Sequence, residues 1–339
     1  MNIKKIGLSA LAGSLAMVSA NAVELAVSGK TEVTYMTNDV KATGNPFGMG
    51  NAISFTGTGD MNGMTATYFA AIADNGAASS TTSEVFQSAE LLLDMGDMGT
   101  VGFDQGVGGF GVGTIDDKMP YAYEELWNHT GSVRGLRAAG GTNAIGYKNA
   151  YNGYNLSVEI DPGHGAGSAN GDSGSTGEGT TDSGYNFAVT TATLYEGLDA
   201  GFGYGTEEHS DTLDNSTNAV ETYATVYAKY AMGGATVGYQ MSQGRGGSAG
   251  TVAHDVTLMG ASFSVNENLA VSVNQMDIDY INGGSADVEE TTRGIGVSYT
   301  MGSAAIRILS TEIENKGGVV DTVNNPDQQQ TELSLLLAF

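Results

Sequence analysis

Cysteine is absent from this chain, tryptophan occurs once, proline four times in 339 residues, and basic residues number 13 against 38 acidic ones. Each scarcity excludes something. Without cysteine no disulfide braces the core, so an exported protein of this kind must close by hydrogen bonding alone. The shortage of lysine and arginine, with a net charge of −25, argues against nucleic acid, whose phosphates need a basic surface. Beyond the N-terminal segment no apolar run reaches the roughly 20 residues of a transmembrane helix. If the chain crosses a membrane it must do so as a closed barrel, the only other form that satisfies every backbone group in lipid.

What is present begins with a leader. Met1 to Lys5 is basic, residues 6–18 are apolar, and Ala20-Asn21-Ala22 has the small-residue pattern of a cleavage site. This is a secretory signal peptide over 1–22, cut between Ala22 and Val23; its apolar run is too short to span a bilayer. Lys4 and Lys5 leave with it and no acid does, so the remainder, one domain over 23–339, is more acidic still.

Period-two alternation dominates that remainder. Leu25, Val27, Val33 and Tyr35 share one parity, and Glu24, Ser28, Lys30, Glu32 and Thr34 share the other, which sets them on opposite strand faces. Leu156, Val158 and Ile160 alternate with Asn155, Ser157, Glu159 and Asp161 in the same way. The pattern weakens over 253–264 and 275–280, where bulges are expected. Seven short turns carry Gly or Asn: DMNG at 60–63, DMGD at 94–97, YNG at 151–153, YEG at 195–197, MGG at 232–234, NEN at 266–268 and MGS at 301–303. They join fourteen strands, and the two terminal strands make sixteen. Long polar connections alternate with the turns, at about 38–50, 74–83, 104–143, 162–184, 207–219, 244–251, 281–289 and 314–329. Short turns at one end and long loops at the other are the layout of a transmembrane antiparallel β-barrel. All four prolines, Pro46, Pro120, Pro162 and Pro326, fall in the long loops, where no ladder bond is lost.

The third long connection, 104–143, stands apart. It holds the single Trp127 with Tyr121, Tyr123, Met119, Leu126 and Leu136, too much apolar surface for a solvated loop. It also mixes Asp116, Asp117, Glu124 and Glu125 with Lys118, Arg134 and Arg137. The expectation is a loop folded into the bore that narrows it. Lys148, Lys229 and Arg307 lie on later strands with parity that points inward.

With these parts in this order, the chain resembles the Gram-negative general porins, most like those of the alphaproteobacteria. The resemblance rests on the ELAVSG opening strand, the seven turns, the long third loop after GTVGFDQG, and the terminal Phe339. It implies a sixteen-stranded outer-membrane barrel, a homotrimer, passive diffusion of ions and small hydrophilic solutes, and Phe339 as the mark read by the barrel-assembly machinery. Family members face the acidic loop with arginines on early strands. Here Lys30 and Lys41 are the only bases between the leader and the long loop. The basic side of the constriction is therefore expected from Lys30, Lys148, Lys229 and Arg307, and the excess of acid makes the pore mildly cation-selective.

Two rival functions are weaker. An enzyme on a barrel needs a nucleophile, a base and an orienting group together, and His129, His164, His209 and His254 show no such grouping in sequence. A non-conducting adhesin or surface structural barrel has no use for charge on an inward loop. No cofactor is expected. Asp116 with Asp117, or Asp277 with Asp279, offers oxygen ligands for Ca²⁺, but neither has a complete loop pattern.

Overall fold

Each alternating run becomes a strand because one of its faces is apolar and the other polar or small. The computed structural model describes residues 24–39, 44–74, 88–130, 136, 142–162, 183–209, 219–246, 253–281, 288–320 and 327–339. The signal segment with Ala22 and Val23 lies outside these residues, as do Lys41, Arg134, Arg137 and His164. The strands are β1 (Glu24–Asn38), β2 (Phe47–Met61), β3 (Met64–Asp74), β4 (Ser88–Asp94), β5 (Thr100–Gln105) and β6 (Thr142–Tyr151). Then come β7 (Tyr154–Asp161), β8 (Gly184–Thr191), β9 (Leu198–His209), β10 (Ala219–Met232) and β11 (Ala235–Gly246). The last are β12 (Ala253–Ser264), β13 (Leu269–Ile281), β14 (Glu290–Met301), β15 (Ala304–Glu314) and β16 (Gln328–Ala338). Every strand pairs antiparallel with its sequence neighbours, and β1 pairs with β16 to close the barrel.

Closure leaves no free edge, so every strand finds partners on both sides. At the seam β1 and β16 run in register from Lys30 opposite Ala338 to Asn38 opposite Gln330. Gly29 and Phe339 extend it by exchanging backbone hydrogen bonds of 2.7 and 2.9 Å. The Phe339 ring lies over Gly29, where a side chain would collide with it.

The seven tight turns sit where expected, with two differences. The connection from β4 to β5 takes residues 95–99 and holds a 3-10 turn at Gly96–Met98. β8 ends at Thr191, so the connection to β9 takes residues 192–197 and not only the YEG triplet. Asn62 and Gly63, and Asn152 and Gly153, have positive φ, which is what two-residue hairpins require. Leu156 and Ile160 point out of the barrel, and Glu159 and Asp161 are buried within it.

The expected bulges in β12 and β13 are absent: the two strands pair without interruption from Ala253 opposite Ile281 to Ser264 opposite Ala270. A register shift occurs instead between Asp104 and Gln105, where β5 gives way to the long loop. The alternation in β12 and β13 is blurred for another reason. Their inward residues Val256, Leu258, Met276 and Ile278 are themselves apolar and fully buried, because the long loop packs on them.

Candidate functional site: the interior loop

The loop leaves β5 through a turn tied by a carboxylate. Asp104 Oδ1 accepts the Val107 N–H at 2.7 Å and Oδ2 accepts the Gly109 N–H at 2.8 Å. These bonds turn the chain inward. Phe110 then lies with no exposed surface against Gly102 and Gly146, paired residues of β5 and β6 whose missing side chains make its socket. The Gly111 N–H donates to Ser157 Oγ at 2.8 Å and the Val112 N–H to Asn186 Oδ1 at 2.6 Å. Gly111 has φ +60°, and a side chain there would strike Asn186. Val112 and Ile115 pack with Leu136 on Ala188, Tyr223 and Tyr227 of the inner wall.

A second anchor is Gln240 on β11, fully buried. Its amide Nε2 donates to the carbonyls of Ile115 (3.0 Å) and Asp116 (2.9 Å), and its Oε1 accepts the Lys118 N–H at 2.8 Å. One carboxamide thus satisfies three loop groups that would otherwise be buried and unpaired. Met119 and Pro120 cross Gly238 and Gly260, and Asn274 Nδ2 donates to the Pro120 carbonyl at 3.1 Å.

The third anchor joins the loop to β13–β16 and β1. The Ala122 N–H donates to Ser272 Oγ at 3.0 Å. Leu126 fills the space over Gly294 and, with partly buried Trp127, completes the apolar cluster on Val256, Leu258, Met276, Ile278 and Leu309. The Tyr123 hydroxyl donates to Glu332 Oε1 at 2.8 Å and lies 3.0 Å from Glu32 Oε1. Arg307 stacks on the Tyr123 ring at 4.4 Å and pairs with Glu32 at 2.5 Å, and the Ser334 hydroxyl also bonds Glu32. A short helix, Trp127–Thr130, carries His129, whose Nδ1 lies 2.8 Å from Thr311 Oγ1 and whose Nε2 lies 3.5 Å from Glu332 Oε2.

The acids expected at the constriction are therefore held by the loop. Asp117 is committed to its own turn: Oδ1 accepts the Met119 N–H and Oδ2 the Tyr121 hydroxyl, both at 2.8 Å. Burial, with the neighbouring Asp116 charge in support, pushes the Asp117 carboxyl up to about 6. Burial also raises Glu124, helped by Glu332 and Glu32. Glu125 is half-buried, and its carbonyl accepts the Asn128 N–H.

The bases are dispersed. Lys118 and Lys148 line one recess of about 860 Å³ with Ser157, Asp199 and Tyr227. Lys148 also sits 4.9 Å from the centre of the Phe110 ring. Lys229 pairs with Asp199 at 3.3 Å, Arg307 is held by Glu32, and Lys30 lies on the inward parity of β1. Asp116 with Asp117, and Asp277 with Asp279, gain no third His, Asp or Glu ligand among the described residues; the last two face outward on β13.

Sequence reasoning missed the wall side of these contacts. Gln240, Asn186, Ser157, Glu32 and Glu332 sat on the polar parity of their strands, which was visible. That the loop would choose them was not, because the choice depends on which strands it crosses. The glycines at 102, 146, 238, 260 and 294 gave a signal: they are the inward-parity positions where the wall has no side chain.

A family model described as Gram-negative porin matches residues 7–315. Among curated protein sequences none matches the chain. Solved structures share the fold. The anion-selective porin of Comamonas acidovorans has a TM-score of 0.64 at 16% identity, covering 94% of this chain and 100% of its own. OmpF of Salmonella typhi in complex with daunomycin reaches 0.69 at 14% identity, covering 95% and 99%. The in-vitro-folded, trimer form of Vibrio cholerae OmpT reaches 0.66 at 12% identity, covering 94% and 99%.

Proposed function

Because the chain belongs to the Gram-negative porin family and forms an outer-membrane channel, we propose that its bore passes ions and small hydrophilic solutes passively and prefers cations. The observation that carries this is the charge on the inner wall and loop. Among the described residues Glu32, Glu90, Asp104, Glu159, Asp161, Asp199, Glu207, Glu221, Glu290 and Glu332 share the inward parity with only Lys30, Lys148, Lys229 and Arg307. The loop adds Asp116, Asp117, Glu124 and Glu125 against Lys118 among the described residues. Two of the wall bases are already matched by Asp199 and Glu32. A unit charge about 4 Å from a passing ion is worth roughly 1 kcal/mol in water-like dielectric, so a few uncompensated carboxylates bias permeation several-fold. The Comamonas porin, named anion-selective, has the same fold, so selectivity belongs to the lining and not to the barrel.

The family and fold point to a channel and not to an enzyme. The loop's inward seat also disfavours a non-conducting adhesin, for which an occupied bore has no purpose. A homotrimer is supported by the outer face. β10 carries apolar outward residues over most of its length, with Val220, Val226 and Met232 exposed. On β13–β16 the outward rows turn polar at Gln275, Asp277, Thr291, Arg293, Ser310, Glu312, Gln329 and Thr331. Polar side chains facing lipid are costly, and a second copy of the chain would cover them.

Reversal potentials across a KCl gradient test the selectivity. The wild-type pore should favour K⁺ several-fold at about 0.1 M and less at 1 M, where the Debye length falls to about 3 Å. Asp116→Asn with Asp117→Asn should reduce the preference. Anion preference at low salt would overturn the reading and place control with Lys30, Lys118 and Lys148.

A further inference from the structure

We propose that Glu124, His129 and Glu332 form a site for a first-row transition-metal dication, of which Zn²⁺ is the representative, fastening the interior loop to β16. One ligand atom from each residue lies within 4.8 Å of the other two. They come from two parts of the fold: Glu124 and His129 from the loop, Glu332 from the inward face of the closing strand.

His129 gives the site its direction. Its side chain has no exposed surface, and Nδ1 is engaged by Thr311 Oγ1 at 2.8 Å. Nε2 is buried without a hydrogen-bond partner and aims at Glu332 Oε2 from 3.5 Å, too far for a hydrogen bond. If Nδ1 carries the proton and donates to Thr311, Nε2 presents a lone pair to a carboxylate oxygen, and two lone pairs repel unless a cation lies between them. A bond of this kind at the far nitrogen is what fixes a metal-binding imidazole.

Charge and distance agree. Around the site Glu32, Glu124 and Glu332 lie near one another, and Arg307 pairs with Glu32, which leaves the carboxylates of Glu124 and Glu332 beside His129. A dication balances them. A tetrahedral ion with bonds of about 2.0–2.2 Å holds its ligands roughly 3.3–3.5 Å apart. The Nε2–Oε2 pair already has that spacing, so only the Glu124 carboxylate needs to close in. One imidazole and two carboxylates suit Zn²⁺ and its neighbours, whereas Ca²⁺ takes six to eight oxygens and Mg²⁺ demands octahedral oxygen geometry.

The test is calorimetric titration of the full barrel, refolded in detergent without an affinity tag, with ZnCl₂ and separately with CaCl₂. One Zn²⁺ per chain is expected, with affinity at least tenfold lower in Glu124→Gln and in His129→Gln. Thr311→Val should weaken binding about 10- to 100-fold through the lost bond to His129 Nδ1. Zn²⁺ should raise the melting temperature of the wild type and not of the variants. Binding that survives both ligand substitutions, or Ca²⁺ bound as tightly as Zn²⁺, would overturn the proposal and indicate loose adsorption to surface acids. No Zn²⁺ uptake by the wild type would overturn it too, leaving a protonated His129 paired with Glu332. Should His129→Gln fail to fold, Glu124→Gln decides alone, since Glu124 is not among the loop's anchoring contacts.

Discussion

At the scale of single residues, the interior loop is held by what the wall lacks as much as by what it offers. Gly146 has no side chain where the Phe110 ring sits, and a methyl group there would overlap the ring. Gly146→Ala adds no backbone strain, since the residue is extended within β6, so its effect should fall on the loop. Overpacking of this kind costs about 1–3 kcal/mol. The barrel is expected to fold while Phe110 leaves its socket, and protease cutting within 106–130 should become faster than in the wild type; unchanged cutting would mean that Phe110 is not what seats the loop. Asp117 supplies a pH dependence. Its folded carboxyl titrates at about 6 against an ordinary 3.8, so the folded protein holds this proton more tightly than the unfolded chain. The stability it contributes is complete below 3.8 and lost as pH rises through about 6. The charge effect runs on the same axis: lowering the pH through 6 removes a negative charge from the loop. Cation preference should therefore fall on acidification with a midpoint near 6, and Asp117→Asn should remove that step. A flat reversal potential from about pH 7.5 to 5 would show that Asp117 does not face the ion path.

At the scale of elements, parity decides what each strand residue meets. Val158 lies on the outward parity of β7, and Ser157 accepts the Gly111 N–H inside. Arginine at a lipid-facing midplane position costs on the order of 2–4 kcal/mol, whereas the lumen tolerates it. Val158→Arg should impair insertion into vesicles, and Ser157→Arg should insert but loosen the loop; equal insertion of the two would invert the parity. Such strands were legible from sequence because one face is polar. β12 and β13 were not, because the sense of the alternation reverses there: the inner face is apolar at Val256, Leu258, Met276 and Ile278, and the outer face is polar at Asp255, Thr257, Gln275 and Asp277. The inner apolar face exists to receive Leu126, Met119 and Trp127, which lie far away in the sequence, between β5 and β6. For that reason deletion of 113–138 should do two things. It should raise single-channel conductance by clearing the bore, and it should lower the melting temperature by baring Val256, Leu258, Met276 and Ile278. Unchanged conductance in an intact barrel would show that the loop does not narrow the path.

At the scale of the whole molecule, one seam turns a sheet into a barrel, and the last residue sits on it. The strand count, the turns and the apolar row of Leu333, Leu335 and Leu337 could be read in advance; that Phe339 meets Gly29 could not, since it depends on how β16 slides against β1. In the folded barrel Phe339 exchanges two backbone hydrogen bonds with Gly29 and covers it with its ring. A net backbone hydrogen bond in water is worth about 1 kcal/mol, and an unpaired group in lipid costs several. These terms are small beside a ladder that runs around sixteen strands, so a completed barrel should tolerate their loss. An open sheet has no such reserve. Before closure β1 and β16 are both free edges, and the pairing that joins them must begin somewhere. The Gly29–Phe339 exchange lies at one end of the seam, where registration can start. Deleting Phe339 should therefore cut outer-membrane insertion well below synthesis, while the barrels that do form conduct normally. Phe339→Ala keeps the backbone bonds and removes the ring, and its yield should fall between the two. Insertion of the deletion variant at wild-type yield would show that closure does not start at the chain end. Deletion barrels that insert but melt far below the wild type would place the role of Phe339 in stability rather than in assembly.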